Sequence, residues 1–166
     1  MKPLHILILI MTITALLGAT QALAATATAN LSVSATVGSW ARLDWPNPAS
    51  LTFADSDPDN VSSIPASEGP VGVSAKARTG SSDMVTLTVT GTDLTSGGNT
   101  IAITNVSWTA TGDFSSSGNI TTGSQTVKSW TGPGTKRGNF SHALTNSWDY
   151  ATGTYSGTVT YTLTAP

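Results

Sequence analysis

The sequence predicts an all-β domain, an antiparallel sandwich of seven to nine strands. Three observations carry that expectation. Short segments alternate an apolar or small residue with Ser or Thr; no helical period is sustained beyond the first residues; and Gly, Asn, Asp, Ser or Pro separates one segment from the next. With no crossover helices to return the chain, neighbouring strands should run antiparallel. Ser and Thr total 50 of 166 residues, whereas charged residues are only 10%. Threonine's branched Cβ suits a pleated surface and its hydroxyl faces water, so Thr alternating with Val, Leu and Ile writes strands with one wet face. A disordered or glycosylated stalk would be as rich in Ser and Thr but would lack this alternation.

The chain opens with Lys2, an apolar run from Leu4 to Leu17, and Ala22-Leu23-Ala24, the small-x-small pattern that a signal peptidase cleaves. That run is shorter than the roughly 20 residues of a membrane-spanning helix and is interrupted by Thr12 and Thr14. Residues 1–24 are therefore expected to be a removed signal peptide, leaving residues 25–166 as one secreted domain without a membrane span. Those 142 residues hold six basic and nine acidic side chains, a net charge of −3. Lys136-Arg137 is the only adjacent basic pair, so nucleic acid is not an expected partner. There is no cysteine, which excludes disulfides and thiolate metal sites and leaves stability to packing and sheet hydrogen bonds.

The expected strands run in order through Ala27 to Val37, Ala41 to Trp45, Leu51 to Phe53, Val71 to Ala77, Met84 to Val89, Ile101 to Trp108, Gln125 to Trp130, Asn139 to Leu144, and a closing strand from Tyr155 to Leu163. In the closing strand Tyr155, Gly157, Val159, Tyr161 and Leu163 share one side, with Ser or Thr between them. The stretch from Pro46 to Pro70 holds five prolines and reads as a loop crossing between sheets, with Leu51 to Phe53 as a short strand inside it. Gly91 to Asn99 and Ser115 to Asn119 read as hairpin or loop connections.

No residue cluster names a reaction. Downstream of the leader the only histidine is His142, no nucleophile elbow occurs, and neither Ser-x-x-Lys nor His-Glu-x-x-His is present, so no catalytic residue is assigned. His142 shares strand parity with Phe140 and Leu144 and is expected to be a partly buried imidazole bonded to backbone. Asp55, Asp57 and Asp59 place alternate carboxylates in one loop, for which calcium is the ion to consider. The alternative is a solvated turn in which Asp side chains bond nearby backbone N–H groups. Trp40, Trp45, Trp108, Trp130 and Trp148 would make a carbohydrate-binding surface if exposed and coplanar; the alternative is that they plug the core. Ala27, Ala29, Leu31, Val33, Ala35 and Val37 line one side of an N-terminal arm. That arm is a candidate assembly strand for a neighbouring subunit, or the protein's own first strand.

The apparent export signal, this alternating arm and the ending Gly153-Thr-Tyr155-Ser-Gly157-Thr-Val159-Thr-Tyr161 resemble secreted bacterial fimbrial and spore-coat-U-like subunits, whose last strand commonly reads Gly-x-Tyr-x-x-x-Val. The resemblance implies an Ig-like sandwich and donor-strand exchange into surface fibres. It implies self-association or pairing with other surface subunits, with a periplasmic chaperone and an outer-membrane usher as partners. Two departures are that many such subunits carry a disulfide in the first half, absent here, and that no chaperone-binding feature is marked. The expectation is an exported, non-enzymatic structural or adhesion-associated protein of the cell surface; a secreted carbohydrate-binding module is the alternative.

Overall fold

The described residues, which are 26–46 and 50–166 of this computed structural model, form strands joined by loops and turns, and no α-helix. In chain order they are β1 (Trp40–Asp44), β2 (Ser63–Pro65), β3 (Val71–Arg78), β4 (Met84–Gly91), β5 (Leu94–Ser96), β6 (Asn99–Ile101), β7 (Val106–Ala110), β8 (Ser116–Asn119), β9 (Gln125–Thr131), β10 (Gly134–Thr145) and β11 (Val159–Thr164). The larger sheet runs β1-β3-β10-β7-β8 with β2 added on β10, the smaller runs β11-β4-β9, and β5 and β6 form a separate pair. Every pairing is antiparallel. The proposed signal peptide, Met1–Ala24, lies outside the described residues. The chain divides into two units, Met1–Thr36 and Val37–Pro166, so the compact strand-bearing unit starts twelve residues after the expected mature terminus.

Period-two alternation explains the core. In β4, Val85, Leu87 and Val89 point inward and are fully buried, while Thr86, Thr88 and Thr90 point outward. Register places Thr164, Thr162 and Thr160 of β11 opposite those threonines, which gives the outer face a Thr–Thr ladder, and sets Leu163, Tyr161 and Val159 inward. Val73 and Ala75 of β3, Trp108 of β7 and Phe140 and Leu144 of β10 belong to the same buried cluster as Leu87, Val89 and Val127. The two sheets therefore share one apolar core. A register shift after Leu87 in the β4–β9 pair leaves Val127 as the extra residue of a bulge.

Several expected strands change extent. The segment Ile101 to Trp108 is broken by a 3-10 turn at Ile103–Asn105, whose Ile103 N–H donates to Asp93 Oδ1 at 2.8 Å. Leu51 to Phe53 contributes only an isolated bridge, Phe53 to Ala66. β10 starts five residues before the expected Asn139, because Gly134 to Gly138 continue the ladder with β3 despite carrying no apolar alternation. β8, read as a loop, pairs with β7; its Gly118 lies against the Trp108 indole, at contact distance from where a Cβ would stand.

One backbone crossing decides two glycines. Thr111 N–H donates to Asn139 O and Asp113 N–H to Arg137 O, so the loop after β7 lies directly on β10. Gly112 between them has φ +70°, and a Cβ on Gly138 would stand 2.0 Å from Thr111 O. Gly138→Ala must push two hydrogen-bonded backbones apart, and the expected cost is about 3 kcal/mol, read as a lower urea midpoint at unchanged slope. A loss below about 0.5 kcal/mol would show that the crossing yields freely.

Candidate functional site

The acidic loop is organised as a turn rather than as a cation cage. Asp57 accepts from Asp59 N–H through Oδ1 at 3.0 Å and from the Asn60 amide through Oδ2 at 2.6 Å, while Asp59 Oδ1 accepts from the Trp148 indole N–H at 3.0 Å. Asp55, Asp57 and Asp59 do not converge, and among the described residues no group of three His, Asp or Glu side chains is placed to hold a metal ion. Calcium coordination by this loop is thus replaced by hydrogen bonds that the loop makes to itself and to Trp148.

The tryptophans divide. Trp108 is buried, and Trp45 and Trp130 pack half-buried against the core, so these three do not offer an indole face to a sugar. Trp40 and Trp148 are 68% and 69% exposed. A five-indole platform is not formed.

The large sheet ends at β1 and the small sheet at β11, and these two edge strands lie close to each other on one side of the core. Among the described residues each has one hydrogen-bonded neighbour, β3 and β4 respectively, which leaves its other edge unpaired there. The side chains that meet there are only half-buried: Leu43 and Trp45 from the β1 side, Val159, Tyr161 and Leu163 from β11. Trp45 stacks on Tyr161 with ring centroids 4.7 Å apart, and Phe140 meets both rings, at 5.7 Å from Trp45 and 5.2 Å from Tyr161. Apolar groups and unpaired strand backbone thus occur together along one seam. No protein-family model matches the chain. A search of curated proteins likewise finds no relative.

Of the expected closing strand, Val159, Tyr161 and Leu163 take their places in the sheet, whereas Tyr155 and Gly157 precede it. There Ser156 bridges to Thr95, and a Cβ on Gly157 would meet Thr92 O at 2.9 Å. The N-terminal arm forms no strand: Ala27, Ala29, Leu31, Val33 and Ala35 are all exposed, Leu31 at 88% and Val33 at 85%. Val37, at the start of the strand-bearing unit, is exposed as well.

Behind the seam lies a polar pair that sequence reasoning missed. His142 is buried and its Nε2 stands 2.8 Å from the Tyr161 hydroxyl, linking β10 of one sheet to β11 of the other. Among the described residues the expected backbone partner is not made, and Nδ1 has no hydrogen-bond partner. Burial pushes the His142 pKa down to about 4 and holds the Tyr161 hydroxyl protonated far above its usual range. This hydrogen bond between a buried imidazole and a buried phenol ties the two sheets together. Nothing in the sequence placed these residues together, because the contact crosses between sheets.

Proposed function

We infer that this chain is an exported, non-enzymatic structural subunit of a surface fibre or coat, with an Ig-like sandwich of the fimbrial and spore-coat-U-like kind. In this reading residues Ala27 to Val37 of one copy add as a strand to the free edge of β11 in another. The observation that carries it is the stripe Leu31 and Val33, flanked by Ala29 and Ala35 and left in water on a segment without strand structure. Burying each of the two large side chains is worth about 1.5–3 kcal/mol, which an isolated arm forgoes and a strand-pairing partner supplies. The half-buried Leu43, Val159, Tyr161 and Leu163 are the matching surface. Main-chain hydrogen bonds to the β11 edge would give affinity, and the alternate small-large-large-small side chains would set the register. An unprotected edge of this kind invites indiscriminate pairing, which is the physical need that a periplasmic chaperone and an usher meet in the family it resembles.

The test is Leu31→Asp with Val33→Asp. The paired variant is expected to remain monomeric where the parent forms ladders of oligomers, with the same thermal midpoint as a parent monomer. Loss of folding in the monomeric variant would contradict this reading and make the arm part of its own subunit's fold.

A further inference from the structure

Register gathers most of this chain's positive charge on one surface. On the outer face of the large sheet, Trp40 stands opposite Arg78, Arg42 opposite Lys76, and Arg137 opposite Ser74. Four of the seven basic residues therefore occupy neighbouring positions on β1, β3 and β10, with Asp44 as the one carboxylate among them, a local charge of +3 on a chain whose net charge is −2. Asp44 pairs with Arg42 and Lys76, and those two cations hold its carboxyl below the usual range. Among the described residues Arg78 and Arg137 have no carboxylate within ion-pair distance. Arg78 Nε instead donates to Gly38 O at 2.8 Å, and Arg137 is held through its backbone N–H, which donates to Asp113 Oδ2 at 2.9 Å. An open groove of about 670 Å³ runs over this face, walled by Trp40, Arg42, Lys76, Arg78, Pro133 and Thr135. At the far end of β1 a second groove, of about 650 Å³, is bordered by Ser74, Arg137 and Asn139. Ser74 Oγ is shielded there without a hydrogen-bond partner.

We propose that this face binds an acidic polysaccharide, a polymer of uronate-type sugars, through Trp40, Arg78 and Arg137, with Lys76 and Arg42 completing the charge. The chemistry selects that ligand class. Guanidinium forks take carboxylates two hydrogen bonds at a time and tolerate the partial loss of water on binding better than ammonium groups do. An exposed indole offers an apolar face to the C–H side of a sugar ring. The exposed Thr and Asn side chains that pave the rest of the sheet, with Ser141 beside them, suit hydroxyl groups: Thr135 and Asn139 stand on the same outer face of β10. A lipid surface would require more apolar groups than the single Trp40. The outer side chains of β1 alternate with those at the seam, so strand addition at β11 leaves this face free.

The experiment is electrophoretic retardation of the full chain in native gels containing polygalacturonate, beside gels containing dextran. Expected are retardation by the uronate polymer alone and its loss at about 0.5 M salt, where screening shortens to roughly 4 Å. Arg78→Gln with Arg137→Gln, and separately Trp40→Ala, should each weaken binding about tenfold. Lys128→Gln, which removes a positive charge from β9 on the other sheet, should leave binding unchanged. No retardation by polygalacturonate, or an equal loss on Lys128→Gln, would overturn the proposal. So would equal retardation by polyphosphate that Trp40→Ala does not alter, since that is the behaviour of a nonspecific polyanion surface.

Discussion

Replacing Phe140 by alanine is expected to cost about 3–5 kcal/mol. Phe140 is fully buried and its ring meets Phe114 and Tyr161 at 5.2 Å, Trp45 at 5.7 Å and Trp108 at 6.2 Å. Among the described residues it is the side chain that touches aromatics from the large sheet, the small sheet and the loop after β7. In a domain without disulfides, whose whole net stability is of order 5–15 kcal/mol, such a loss is about a fifth of the total or more. The thermal midpoint should fall by roughly 10–15 °C. Phe140→Leu, which keeps most of the volume, should cost about half as much. A drop of only a few degrees for the alanine variant would mean that the two sheets do not depend on this ring to stay packed.

The second large effect is on pH. His142 has a folded pKa near 4 against an ordinary value of 6.5, so between those values the unfolded chain binds the proton and the folded chain does not. Stability is therefore complete above about pH 6.5, falls as pH drops through the window, and levels off below about 4, a total of about 3 kcal/mol. Protonation would bury a cation between the sheets, with the Tyr161 hydroxyl beside Nε2. Urea unfolding at pH 7 and pH 4.5 checks this directly. Replacing both partners, His142→Leu with Tyr161→Phe, should flatten the profile while changing stability at pH 7 little, because neither polar group is left orphaned. An equally steep fall in the double variant would assign the acid sensitivity to the carboxylates instead.

What was legible in the sequence follows from period-two patterning. β3, β4 and β9 stand close to where alternation puts them, since each sets its apolar side chains against the shared core. β8 was not legible, for Ser116 to Asn119 has no large apolar residue and is held by pairing with β7 over the Trp108 indole. The arm shows the opposite case. Its alternation is as regular as that of β4, yet residues 27–36 form no strand and stay exposed, because alternation records a side chain's need for a partner surface and not where that surface lies. Charge was hidden for a related reason. Lys136 and Arg137, adjacent in sequence, face opposite sides of β10, while Arg42, Lys76, Arg78 and Arg137 are scattered over 96 positions of sequence and meet only through the register of three strands. His142 and Tyr161 likewise become partners only when the two sheets close on each other.

Light scattering of the chain from Ala25, beside a chain starting at Gly38, tests the central claim most directly. Strand exchange predicts SDS-resistant or ladder-like oligomers from the first and a folded monomer from the second. A folded monomer from the first together with an unfolded second chain would contradict it, and would make Ala27 to Val37 an ordinary part of its own subunit.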